Sequence, residues 1–394
     1  MACKPFPEAH HDTTNSKHSL AILGEASILA NAQVSTNSPF FLLPRLLPAP
    51  QALIRTSRPE RLVPSTGKVL GARSGGIKDD VNHIAHLLHD GDHLPAYSVR
   101  CERITKNPNR PSVRATLFGP LTWLSLLGCA MSIAILVLAI VKKDGMALLA
   151  VLLLSILSTI IGIGSRWSLE LKKRKSTREV PVSDVVISYP QGAFMIVKCD
   201  EDVARELYWH PERCIYHVGP TAYRLISLTA TLLLMFAVIF LSNAQLPLQL
   251  CFAAAYIILN AAYWTAAALP QRWNWDLSRF RVKRVRFAGG ELNDAFTHAL
   301  WKAIAVTKSV EWVHNGSIAP RSQAWKEWLE KADEMAHGPS MLSIGMDSKP
   351  STRSPEVTIT PEDEEKDEVI VLPEWDCDAA LTGFLNPDSA AKNV

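Results

Sequence analysis

The sequence predicts an all-α transmembrane fold: four membrane-spanning helices paired as two hairpins, a small α/β cytosolic lobe between the pairs, and amphipathic helices after the fourth span. Three observations predict it. The chain of 394 residues holds long apolar runs without a charge, its Lys and Arg gather on one side of those runs, and a strand-like stretch lies between the second and third.

Residues 1–77 come first and read as mostly lacking order, with histidines, an acid and two prolines ahead of any apolar run, which is no secretory leader. Residues 78–114 read as a short amphipathic helix followed by a basic flank. "DDVNHIAHLLHDGDH", residues 79–93, holds four of the twelve histidines. At 100° per residue, Val81, Ile84, Leu87 and Leu88 share one face and His83, His86 and His89 the other, with Asp79 or Asp80 as cap and Gly91 as stop. The expectation is a docking helix with its histidines in solvent. A metal site and a protonation-sensitive face beside anionic lipid are the alternatives, although His89 lies 120° from His83 on the wheel and one helix cannot aim all three at one ion.

The apolar runs set the architecture. Ala115–Val141 and Gly145–Ser165 are uncharged over 27 and 21 residues, and Leu225–Gln271 over 47. About 20 apolar residues cross a bilayer core, so the first two are one span each and the third is two, broken at "SNAQLPLQ". The hairpins are expected at 115–166 and 221–270. Five basic residues precede the first span, six follow the second and six follow the fourth, against Lys142 and Lys143 alone in the outer turns. The excess of positive charge marks the cytosolic side, so both termini and the central loop are expected there, and the "NGS" sequon at Asn315 with them.

The spans carry no ionisable residue between their borders, which disfavours a proton- or ion-coupled carrier. Asn260 is the most polar deep residue and is expected to make an interhelical hydrogen bond. A channel or transporter subunit for a small neutral solute would instead line its path with Tyr256, Asn260 and Tyr263. Small residues four apart, such as Gly128 with Ser132 and Ser158 with Gly162, allow close helix approach.

Residues 167–220 form the expected cytosolic lobe. "DVVISYPQGAFMIVKCD" reads as two strands about Pro190, Gln191 and Gly192, then a short helix capped by Asp200, then a strand in "RCIYHVG", a ββαβ order. Cys199, His210, Cys214 and His217 fall within nineteen residues, but no zinc-finger spacing is present, and Cys199 with His210 is a thin nucleophile and base pair. A membrane enzyme using this lobe is therefore a rival reading without a motif, and no cofactor and no metal is expected.

The stretches "DVVISYPQGAFMIVKCDEDVARELYW", "GMALLAVLLLSILSTIIGIGSRW" and "LQLCFAAAYIILNAAYWTAAALP" resemble an uncharacterised group of multi-pass integral membrane proteins from filamentous fungi. The likeness covers roughly residues 100–335 and implies a fungal membrane protein, with no activity to carry over.

Residues 271–337 read as a basic juxtamembrane segment and two amphipathic helices. "RFRVKRVRF" supplies Arg279, Arg281, Lys283, Arg284 and Arg286 as candidates to meet anionic lipid headgroups. Leu292, Phe296, Ala299, Leu300, Ala303 and Ile304 recur at helical spacing, as do Trp325, Trp328 and Leu329, and both helices are expected to dock on the central lobe. Residues 338–394 read as a disordered acidic tail in which Val369, Ile370, Val371 and Leu372 follow a block of acids, like a SUMO-interacting segment that adds a strand to a partner's sheet. The function expected is a structural or adaptor component whose partners are the bilayer, anionic lipid headgroups and cytosolic proteins, not nucleic acid.

Overall fold

In the computed structural model, residues 33–110, 112–171, 182–337 and 369–385 are described. After a 3₁₀ turn at Pro39–Leu42 and a one-turn helix at Pro50–Leu53 come β1 (Ser65–Gly71), β2 (Ile77–Val81), α1 (His83–His89), β3 (Val99–Lys106) and β4 (Arg114–Ala115). Then come α2 (Pro120–Val141), α3 (Gly145–Ser165), β5 (Trp167–Glu170), β6 (Val185–Ser188), β7 (Phe194–Lys198) and α4 (Glu201–Ala204), which runs into a π-helical turn at Arg205–Trp209. β8 (Arg213–Tyr216), α5 (Pro220–Ser242), α6 (Leu246–Ala268), β9 (Trp275–Asp276) and β10 (Phe280–Phe287) follow. The last are α7 (Phe296–Thr307), α8 (Glu311–Gly316), α9 (Gln323–His337), β11 (Val369–Ile370) and α10 (Cys377–Leu385).

These elements divide into two units. The helical unit takes residues 1–61, 111–170 and 213–277, and the sheet unit takes 62–110, 171–212 and 278–394.

In the helical unit, α2, α3, α5 and α6 are long and apolar enough to cross a membrane. Pro120 and Pro220 start α2 and α5, where a missing N–H costs nothing, and the Asp144 carboxylate caps α3 by accepting from the Met146 and Ala147 amides. α3 packs on α5, α2 on α6 and α2 on α3, burying Ala147, Ala150, Val151, Leu154, Ala237, Leu248, Phe252 and Leu259. Their outer faces expose Ile133, Val137, Leu228, Ile239 and Ile257. Such surface is unfavourable in water and is what a bilayer solvates.

Several small residues of α2 and α3 serve a purpose other than helix pairing. They receive residues 38–47 of the chain. The Leu46 amide donates to the Gly128 carbonyl at 3.3 Å, the Arg45 amide to the Ser158 hydroxyl at 3.0 Å, and Phe41 lies so close to Gly162 that a Cβ there would meet its ring at 2.5 Å. Arg45, only 4% exposed, thus lies against two span helices.

The sheet unit overturns the expected fold class. Its core is a seven-stranded mixed sheet in the order β11-β10-β3-β7-β6-β1-β2, with β3 parallel to β7, β11 parallel to β10, and the other pairs antiparallel. The protein is therefore not all-α with a small lobe between hairpins. Residues 167–220 contribute only β6, β7 and the α4 turn to that sheet, while β5 and β8 pair with each other in the helical unit. The physical reason is that a two-stranded ribbon is marginal alone. Here it is completed by β1, β2 and β3 from the N-terminal segment and by β10 and β11 from the C-terminal one.

Alternation along the strands gives the sheet two covered faces. Val99, Cys101, Val186, Phe194, Ile196, Val285 and Phe287 pack with Leu300, Ile304, Trp312, Trp328 and Leu329 of the C-terminal helices. Met195, Val197, Val185 and Ile187 point the other way and are fully buried. On that second side lie Glu102 and, hydrogen-bonded to it, α1.

Candidate functional site

The sheet unit's strongest concentration of buried polar chemistry is under α1. Asn82 seats the helix: its amide nitrogen donates to the Leu207 carbonyl at 2.6 Å and the His210 carbonyl at 2.8 Å, while its Oδ1 accepts from Lys78 at 2.5 Å. The Glu212 carboxylate accepts from the Ile84 amide at 2.8 Å, at the end of the helix where N–H groups lack partners. Burial pushes the Glu212 pKa up to about 7, against the opposing pull of that bond and of Lys78.

His89 is 1% exposed and bridges two elements. Its Nδ1 lies 2.6 Å from Oε2 of Glu102 on β3, and its Nε2 lies 2.6 Å from the Tyr208 hydroxyl in the π-helical turn. Burial raises the Tyr208 pKa well above its ordinary value, so the phenol keeps its proton. The sequence acid, imidazole, hydroxyl has the order of a hydrolase relay, yet its terminal hydroxyl belongs to a fully buried tyrosine that no substrate can approach. Its chemistry is that of a clasp.

Next to it, Glu206 of the same turn is 1% exposed. It takes Arg279 on Oε1, with Nε at 2.9 Å, and Lys106 on Oε2 at 2.5 Å. Arg279 also donates to the Arg110 carbonyl at 2.8 Å. Two cations on one buried carboxylate, with Nη1 of the guanidinium bonded to the Arg110 carbonyl, satisfy the condition for an ion pair to survive desolvation.

The histidine helix was legible, but its orientation was not. His86 and His89 point into the unit and are buried, while Leu87 and Leu88 are only partly so. The four histidines diverge: His86 Nε2 meets Asp92 at 3.1 Å, His93 meets Asp90 at 2.9 Å, and His83 has its pKa lowered to about 4, first by burial and then by His86. They do not converge on an ion. Tyr189 and His86 approach across Gly91, and the Tyr189 hydroxyl and His86 Nδ1 are buried without a hydrogen-bond partner among the described residues.

The other sequence candidates are placed as follows. Arg279 is locked in the Glu206 pair, whereas Arg281, Arg284 and Arg286 are exposed and Lys283 is partly exposed along β10. Arg284 meets Glu291 at 2.6 Å, and Lys283, Arg284 and Arg286 line an open groove of about 670 Å³ with Val282, Phe287 and Glu291. Asn260 donates to the Tyr256 carbonyl at 2.8 Å within its own helix, and the two side chains border a cavity of about 410 Å³ among the span helices. Val369 and Ile370 pair with Arg286 and Phe287 of β10, so this segment adds a strand to the chain's own sheet, and Leu372 packs on the core beneath. The acids at 361–368 lie outside the described residues. Cys199 donates its thiol proton to the Ser183 carbonyl at 3.2 Å, and burial raises its pKa, which suits a core residue better than a nucleophile. Cys199 and His210 belong to the sheet unit, Cys214 and His217 to the helical unit.

Comparisons with protein families, with curated proteins and with solved structures return no match for this chain. Four helices fit for a membrane and a separate sheet unit are thus what its own structure offers to a functional reading.

Proposed function

We propose that the chain is a multi-pass membrane protein acting as a structural or adaptor component, with both termini and the whole sheet unit in the cytosol. One observation carries this reading. The sheet draws strands from before the first span helix, from between the second and third, and from after the fourth. A hydrogen-bonded sheet cannot be threaded through a bilayer, so its three contributing segments share one side, and the surplus of Lys and Arg in those segments selects the cytosolic one. The buried polar residues reinforce the unit from within, and the basic groove of β10 is the surface we assign to anionic lipid headgroups. It begins twelve positions after Ala268, the last residue of the fourth span helix.

A glycosylation acceptor inserted at Lys142–Lys143 should be modified in the lumen, while the native Asn315 sequon stays unmodified. Glycan at Asn315 would refute the topology. For the lipid surface, hydrogen exchange of residues 279–290 in nanodiscs should slow when phosphatidylserine replaces phosphatidylcholine, and Arg281→Glu with Arg284→Glu should abolish the difference. Equal exchange in both lipids would remove lipid binding from the reading.

A second reading, a path for a small neutral solute, has the Asn260 cavity in its favour. Cysteines placed at 256, 260 and 263 would then react with a water-soluble maleimide, whereas a packed bundle leaves them unlabelled.

A further inference from the structure

At the start of α10 the chain brings together three different metal-ligating side chains from two elements. The ligand atoms of His298, Cys377 and Asp378 all lie within 4.8 Å of one another, with His298 Nδ1 at 3.7 Å from Asp378 Oδ2. Imidazole, thiol and carboxylate form a mixed N, S, O set, the donor chemistry of zinc. Tetrahedral zinc at its usual bond lengths separates such donors by roughly 3.3–3.5 Å, so shifts of about an ångström or less close the site.

The surroundings hold the donors in place. The Thr297 hydroxyl donates to Oδ1 of Asp378, leaving Oδ2 toward His298. The Trp328 indole donates to the Cys377 carbonyl at 2.8 Å and fixes the first turn of α10 on α9. Cys377 is fully buried, and Ala380, Leu381 and Phe384 of the same helix pack on the core shared with α7 and α9. Support of this kind around the primary ligands is what orients them for a metal. His298 also lines a cavity of about 530 Å³ with Asp294, Lys302 and Asp376, so solvent reaches the neighbourhood of the site.

We propose that His298, Cys377 and Asp378 bind one zinc ion that fastens α10 to α7, with water in the fourth position. On binding, the Cys377 thiol gives its proton to solvent and the thiolate donates to the metal, while the metal keeps its oxidation state. This extends beyond the adaptor reading and does not rest on it.

The test uses the full chain in detergent, stripped with chelator and then titrated with zinc alone and, separately, with cobalt(II). The expected result is one zinc per chain and, with cobalt, a thiolate-to-metal charge-transfer band in the near ultraviolet. Cys377→Ser should abolish that band, and Cys377→Ser and His298→Gln should each weaken zinc binding at least tenfold. Asp378→Asn, which keeps an acceptor for Thr297, should weaken binding while leaving the unliganded protein's trypsin pattern unchanged, so that a loss caused by misfolding is recognised. Zinc should also slow amide exchange across residues 377–385. Substoichiometric zinc in the unaltered chain, or stoichiometric zinc undiminished by these substitutions, would overturn the proposal.

Discussion

The Glu212 carboxylate accepts a hydrogen bond from the Ile84 backbone N–H at 2.8 Å, closing the start of the histidine helix with a buried acid. Because burial raises this carboxyl to about 7, the protonated form is favoured in the folded protein relative to the unfolded chain. The resulting stability is fully present below the ordinary carboxylate pKa and is lost as pH rises through about 7. We expect the protection factors of the α1 amides, taken relative to the base-catalysed intrinsic rate, to be higher at pH 5.5 than at pH 8. Glu212→Gln, which keeps an acceptor but cannot ionise, should flatten that dependence and stabilise the sheet unit at pH 8 by roughly 1–3 kcal/mol. A variant whose protection factors track pH as the parent's do would assign the effect to another group.

The triad of Glu206, Arg279 and Lys106 gives an asymmetric prediction. Glu206→Gln leaves the Arg279 guanidinium, 2% exposed, without its counter-ion and should cost about 3–5 kcal/mol. Lys106→Met removes a cation that is about one-third exposed and retains the Arg279 contact, so it should cost far less. Denaturant unfolding of both variants, followed by tryptophan fluorescence, distinguishes them; equal losses would contradict this division.

How far these features could be read from the sequence depended on the range of the forces involved. The end of α1 was legible, since periodicity and the Gly91 stop are local, but its start was not: Asp79, Asp80 and Val81, expected as cap and first turn, belong to β2, and Asn82 stands at the N-cap. The inward face of α1 was not legible either, because the partners that make a histidine worth burying, Glu102 and Tyr208, stand 13 and 119 positions away. In "RFRVKRVRF" the period-two alternation is itself a strand signal, but the charge expected next to a span explains the same residues. The chain from Arg281 to Val285 pairs with Cys101–Thr105, a register no local pattern reveals. The four spans were legible because length and apolarity alone define them. Arg45 is not legible among them, since it arrives from another segment.

Gly91 stands where a side chain has no room. A Cβ would meet the Tyr189 hydroxyl at 2.5 Å and the His86 ring at 2.7 Å. Gly91→Ala should therefore displace α1 and cost about 1–3 kcal/mol. Tyr189→Phe alone should be neutral or slightly stabilising, as it removes a buried hydroxyl without a partner. The double variant should recover part of the loss, because one of the two clashing groups is gone. A purely additive thermal-shift result would place the strain at His86 alone.

Asp144 joins the turn between α2 and α3 to the turn between α5 and α6. Its Oδ1 accepts from the Met146 and Ala147 amides at 3.0 and 3.1 Å, and its Oδ2 accepts from the Gln245 amide at 2.7 Å. One carboxylate thus caps α3 and holds the turn into α6. Asp144→Ala removes both functions, and the cap alone is worth about 1 kcal/mol. Asp144→Asn keeps a single carbonyl oxygen, able to serve either the cap or Gln245, and its amide nitrogen faces a donor on the other side. Both variants should lower the thermal midpoint of the full chain in detergent, Ala more than Asn. Disulfide crosslinking between cysteines placed at 143 and 245 should lose efficiency in the same order. A crosslink unaffected by Asp144→Ala would mean that packing of the helices alone sets the spacing of the two turns.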